Sequence, residues 1–199
     1  MADPKIFHWL FILILISGLG ISGYYRRKAR QTGEVITRSQ EGRSKLLLRL
    51  LAALPLYGSL LAYSLNPRWV GWAAVPLPDW VRWLGVGLGI IAVVLVWWLF
   101  TSIGRNISET VLTNSDQELI THGPYRWVRH PLYSTGALLF AALGLVAANW
   151  FIILLAVLAL VGFGVFVIPA EEARLIAQFG EAYKEYQAHT GALFPQLRR

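Results

Sequence analysis

Five apolar runs divide this 199-residue chain, at residues 6–23, 46–65, 81–100, 132–148 and 151–168. A helix needs about 20 apolar residues to cross a hydrocarbon core. In lipid, the helix is also the form that satisfies its own backbone hydrogen bonds. With 56% hydrophobic and 15% charged residues, the chain lies outside the range of an ordinary soluble domain. The runs predict an all-α polytopic membrane protein with five transmembrane helices in one integral membrane domain, 1–199. Three spans fall in 1–100, and the chemistry-bearing half is 101–199. Only Asn149-Trp150 separates the last two runs, which predicts a tight helical hairpin.

The first run leads into Tyr24-Tyr25-Arg26-Arg27-Lys28 with no small-x-small cleavage pattern, so it reads as a retained helix. The absence of cysteine excludes disulfides, thiolate metal centres, a cysteine nucleophile and thioester or prenyl anchors. No metal site is expected. The net charge of +7 needs no nucleic acid, because membrane proteins gather Lys and Arg on one side. With the N-terminus outside, only Lys5, Arg68 and Arg82 lie on the outer face. The remaining basic residues, including the cluster between Arg26 and Arg49, then face the cytoplasm, where they can also meet anionic lipid. Pro55, inside the second run, is tolerable where neighbouring helices re-satisfy the freed carbonyl. Gly85-x-Gly87-x-Gly89 lacks the strand that a dinucleotide fingerprint requires and reads instead as small residues for close helix packing.

Between the third and fourth runs stands His122-Gly-Pro-Tyr-Arg-Trp-Val-Arg-His-Pro-Leu-Tyr133, and after the fifth come Glu171 and Glu172. So many cations, donors and aromatic faces beside a bilayer are costly unless they pair or hold a polar ligand. Glu171 and Glu172 can accept from a ribose diol or pair with an ammonium group. Arg129 or His130 can hold a carboxylate. Tyr125, Trp127 and Tyr133 can stack on an adenine or face a sulfonium cation. Gly123 permits close backbone approach. One cytosolic metabolite, S-adenosylmethionine, carries all of those groups. Beyond Pro169, Leu175, Phe179, Tyr183 and Tyr186 fall at helical spacing, predicting an amphipathic helix on the membrane surface that covers the site. Tyr183 and Tyr186 read as packing residues of that helix. Arg126 reads as an interfacial anchor, and His8 and His189 as structural or solvated.

Gly123-Pro124-Tyr125-Arg126-x-x-Arg129-His130-Pro131-x-Tyr133, followed by Glu171-Glu172-x-x-Leu175, Phe179-Gly180-x-x-Tyr183-x-x-Tyr186 and Phe194-Pro195, resembles the isoprenylcysteine carboxyl methyltransferases and their phospholipid N-methyltransferase relatives. Gly104-Arg105-Asn106-x-Ser108 and Glu118-Leu119-Ile120-Thr121 are similar to the same family. The resemblance implies S-adenosylmethionine held at the cytoplasmic ends of the last two spans, with a lipophilic or lipid acceptor arriving laterally from the bilayer. It assigns His122, Gly123, Tyr125, His130, Pro131, Tyr133, Glu171 and Glu172 to the cofactor. Arg129, His130 and Glu172 are the candidate catalytic residues. Arg129 serves either the cofactor carboxylate or the acceptor. Methyl transfer by in-line displacement needs alignment and a water-poor cleft rather than a covalent intermediate. A carboxylate acceptor would need no base, whereas an amine or phenol would call on His130 or a glutamate. Prenylcysteine-specific members carry basic residues shortly before the glutamate pair. Here that stretch is Val165-Phe-Val-Ile-Pro169, which leaves room for another lipophilic acceptor. An NADPH-dependent reductase of the sterol-reductase type and a non-enzymatic scaffold are the competing readings.

Overall fold

The computed structural model describes residues 3–32, 43–103 and 119–196. The Gly104–Ser108 stretch, Glu118 and much of the basic loop between the first two runs lie outside them. Among the described residues the α-helices are α1 (Pro4–Thr32), α2 (Arg43–Leu65), α3 (Asp79–Ile103), α4 (Pro131–Ala147), α5 (Trp150–Gly162), α6 (Ile168–Phe179) and α7 (Glu181–His189). No strand occurs among them, and β-pairing is limited to two isolated bridges.

Among the described residues, three helical stretches are long and apolar enough to cross a membrane: Pro4–Ala29, Asp79–Ile103 and Trp150–Phe179. Ala53–Leu65 and Pro131–Ala147 are shorter apolar helices. The core forms where α1, α2, α3, α4 and α5 meet, around Phe7, Phe11, Leu60, Val86, Leu143 and Ile152. A second cluster of Val96, Leu99 and Phe100 joins the far end of α3 to Ile21, Tyr25 and Leu132.

Small residues set the helix spacing at two of the three predicted glycines. A Cβ on Gly85 would come within 2.9 Å of the Val146 backbone nitrogen, and one on Gly89 would meet Ile14 at 2.9 Å. Gly87 faces open space. The close-packing reading therefore holds for Gly85 against α4 and Gly89 against α1.

The connection from α4 to α5 passes through Ala148, at φ 50°, and Asn149. The Asn149 side-chain oxygen accepts from the Phe151 and Ile152 amides at 3.1 and 3.2 Å, satisfying donors that a helix start leaves open. Its Nδ2 donates to the Val70 carbonyl at 2.9 Å, tying the turn to the 3₁₀ segment Pro67–Ala73.

At the C-terminal end the chain departs from the expected single surface helix. Helical structure runs on from α5 through a π-helical segment, Phe163–Val167, into α6. Pro169 has no amide to donate, and a wider turn accommodates it: the Ile168 amide bonds five residues back, to Phe163. Glu171 and Glu172 thus ride on a continuation of the last apolar run. Gly180, at φ 59° and ψ −131°, then breaks the amphipathic stretch into α6 and α7, a conformation that an L side chain resists.

Candidate functional site

The polar motif is docked by backbone as well as by side chains. Gly123 opens a short 3₁₀ turn, Gly123–Arg126, at φ 61°, and a Cβ there would lie 2.5 Å from Ser102 Oγ at the end of α3. Its glycine is accounted for by docking against α3. The amides of Arg129 and His130 donate to the carbonyls of Gly191 (2.8 Å) and Ala192 (3.0 Å), so the tail beyond α7 pairs alongside the motif. Ser134 Oγ donates to the Leu193 carbonyl at 2.5 Å, extending the seam into α4. Pro131 then starts α4 in a position where its missing amide costs nothing.

Around this seam the two distant clusters converge. His130, 7% exposed, places Nε2 at 3.2 Å from Glu172 Oε1 and Nδ1 at 3.3 Å from Glu171 Oε2. Tyr133 donates its hydroxyl to Glu171 Oε1 at 2.6 Å. Arg129 Nε and Nη2 reach Glu172 Oε1 at 2.8 and 2.7 Å. Arg129 Nη1 donates to the carbonyls of Gln187, at 3.2 Å, and Thr190. An aromatic column, His130 over Tyr133 and Tyr133 over Phe163, leads from the carboxylates toward the π-helical segment.

Burial alone would lower the His130 pKa, but hydrogen bonds to Glu171 and Glu172, reinforced by their charges, hold it above its ordinary value. The phenols of Tyr125, Tyr183 and Tyr186 are pushed up chiefly by burial and stay protonated.

Arg129, His130, Tyr133, Glu171 and Glu172 therefore form one network, and Pro131, next in sequence to His130, is buried at the start of α4. Tyr125 meets its edge through its carbonyl, which accepts from Tyr186 at 2.6 Å. His122 is exposed, makes no capping bond and has no part in the network. Sequence reasoning overlooked Gln187, whose Nε2 donates to Glu172 Oε2 at 2.8 Å. The available signal was its place four residues after Tyr183, on the buried face of α7. Nor did spacing announce the carbonyls of residues 190–193 as partners of the motif.

Residues 80–182 match the phospholipid methyltransferase family. The chain belongs to that family. It is 30% identical over 171 residues to the cobalt-zinc-cadmium resistance protein CzcN of Cupriavidus metallidurans, covering 85% of this chain and 69% of that protein. It is 30% identical over 118 residues to the protein-S-isoprenylcysteine O-methyltransferase of Tribolium castaneum, covering 58% of this chain and 42% of that enzyme. Among solved structures it superposes on the eukaryotic intramembrane Ras methyltransferase ICMT with a TM-score of 0.59 and 21% identity, over 98% of this chain and 68% of that one. Family membership makes the protein an integral membrane methyltransferase, and a methyltransferase requires a methyl donor.

Proposed function

We propose that the protein transfers a methyl group from S-adenosylmethionine to a lipophilic acceptor at the cytoplasmic rim of a five-helix bundle. The observation that carries this reading is the contact of His130 with Glu171 and Glu172 at 3.3 and 3.2 Å across 41 and 42 residues of chain.

The residues present suit the cofactor. Glu171 and Glu172 offer acceptors for its ammonium group and ribose diol. Glu171 accepts from the Tyr133 hydroxyl, and once His130 is neutral no imidazolium balances its charge, which leaves a carboxylate able to pair with a cation. Tyr133 and Phe163 present the aromatic faces that a cationic centre favours. When bound, S-adenosylmethionine would supply an activated methyl group ready for in-line displacement. His130 would keep the carboxylates oriented and could accept the acceptor's proton where the acceptor is an amine. The π-helical segment and α5 carry exposed Val157, Val161, Val165 and Phe166, an apolar flank along which a lipophilic acceptor would arrive from the bilayer.

The helix ends that share the site support this sidedness. Tyr25 stacks on Phe100 at 5.8 Å, so the basic end of α1 lies beside the C-terminal end of α3, where Gly123 docks. The positive-inside rule puts that end in the cytoplasm and the N-terminus outside. Exposed Trp80 and Trp83 near one end of α3 and Trp97 and Trp98 near the other mark two membrane interfaces, roughly 25 Å apart along the helix. α4 and α5 would then span as a hairpin, giving five spans.

Isothermal titration with S-adenosylhomocysteine and NADPH tests the cofactor, and radiolabelled S-adenosylmethionine with membrane lipid extracts identifies the acceptor. Glu172→Gln and His130→Ala should each weaken cofactor binding by about 1.5–3 kcal/mol, one charge-assisted hydrogen bond. Binding of NADPH without the adenosyl ligand, or wild-type affinity in both variants, refutes the assignment.

A further inference from the structure

Any ligand carrying an oxyanion into this site needs a cation to meet it, and the cations of the motif are already engaged. All three nitrogens of Arg129 donate within the protein, to Glu172 and to the Gln187 and Thr190 carbonyls. His130 faces a carboxylate from each ring nitrogen. Lys184 is paired with Glu181 at 2.7 Å, and Arg126 is exposed, with its guanidinium 5.7 Å from the Trp127 ring.

Arg174 differs from all of these. It sits on α6 three residues beyond Glu171, a spacing that sets their side chains next to one another on the helix surface. The Arg174 side chain is partly buried, and its Nη1 atom is fully buried with no hydrogen-bond partner. The neighbouring Glu171 directs its oxygens to Tyr133 and His130 and makes no hydrogen bond to Arg174 Nη1. Tyr183 Oη is the other buried side-chain atom without a partner among the described residues. It is a neutral group whose charged neighbours are Glu172 and Arg129. Buried polar atoms are normally satisfied, and a guanidinium nitrogen left bare signals an acceptor supplied from outside the chain.

We infer that Arg174 is the anion-binding residue of the site, taking a carboxylate or phosphate oxygen of a bound ligand beside Glu171. The planar fork of guanidinium donors matches either oxyanion, and the half-buried position strengthens the pairing relative to open water. This rests on the proposed reading of the Glu171–Glu172 surface as a ligand site. Two sources could bring the oxyanion: the amino-acid carboxylate of the cofactor or the anionic headgroup of a lipid acceptor.

The test uses the full chain in detergent micelles, comparing wild type with Arg174→Gln and Arg174→Lys. S-adenosylhomocysteine and 5′-methylthioadenosine, which lacks the amino-acid portion, are titrated calorimetrically. Phosphatidic acid and phosphatidylcholine are compared by the rise each gives in melting temperature. If the oxyanion is the cofactor carboxylate, Arg174→Gln weakens S-adenosylhomocysteine tenfold or more and leaves 5′-methylthioadenosine unchanged. If it is the acceptor headgroup, Arg174→Gln abolishes the extra stabilisation by phosphatidic acid and leaves both nucleosides unchanged. In either case Arg174→Lys recovers part of the effect. Ligand-free Arg174→Gln should melt no lower than wild type, since it removes a buried donor that has no partner. A lower ligand-free melting temperature, or no change toward any of the four probes, overturns the inference. A wild type that ignores S-adenosylhomocysteine but loses phosphatidic-acid binding on Arg174→Gln would refute the cofactor reading while keeping the anion site.

Discussion

Replacing Arg129 by methionine should loosen α7 before it affects anything else. The guanidinium joins three parts of the fold: the seam before α4, Glu172 on α6, and the carbonyls of Gln187 and Thr190 at the end of α7. The Arg129 and Glu172 side chains are only 9% and 13% exposed, so their pairing is little screened. Removing one member of a buried pair costs about 3–5 kcal/mol, because the other charge stays behind uncompensated. Glu172 would keep the Gln187 amide and His130 as partners, which favours the lower end, about 3 kcal/mol. At 1.4 kcal/mol per decade, the open population of α7 should rise on the order of a hundredfold. Hydrogen exchange in detergent micelles reads this directly: amides of residues 181–189 should lose protection while those of α3 and α5 hold theirs. A double-mutant cycle with Glu172→Gln should return a coupling of at least 1 kcal/mol in magnitude, on the order expected of groups in direct contact. Unchanged protection of α7 together with weakened ligand binding would refute the clamp and make Arg129 a ligand contact.

Gly85→Ala should destabilise the fold measurably by thermal unfolding, since its Cβ would press on the α4 backbone, whereas Gly87→Ala should be neutral or stabilising by up to about 1 kcal/mol. Arg82 donates from Nε and Nη2 to the Val146 carbonyl, at 3.0 and 2.9 Å, and lies 3.9 Å from the Phe7 ring centroid, so it caps the end of α4 remote from the site. Arg82→Met should cost about 2–4 kcal/mol of stability and leave cofactor affinity unchanged. His130 has a raised folded-state pKa, so its contribution to stability is complete below its unfolded value of about 6.5 and disappears as pH rises through the folded value. The melting temperature of wild type should accordingly fall relative to His130→Gln across that window. A ligand that brings a cation to Glu171 should release the His130 proton, so calorimetry in buffers of different ionisation enthalpy should show proton release near the raised pKa, and none with His130→Gln.

The sequence by itself determined the solvent and the chemistry. Apolar runs of spanning length dictate helices in lipid because no other open structure satisfies its backbone there. Proline, glycine and asparagine at 131, 180 and 149 mark helix boundaries by their own stereochemistry. At the proposed site, the acids, imidazole and phenols would favour a ligand of complementary charge. Only the tertiary structure decided how those groups are shared. Arg129 and Arg174 are equally cationic in the sequence, yet one is engaged by carbonyls of residues 187 and 190 and the other carries a bare buried nitrogen. Gln187 and the 190–193 tail become part of the site because backbone amides pair with whatever strand is brought alongside, and composition records no such partner. Likewise Pro169 forbids one helical hydrogen bond, but whether the chain stops or widens into a π-turn depends on what α6 can reach and pack against.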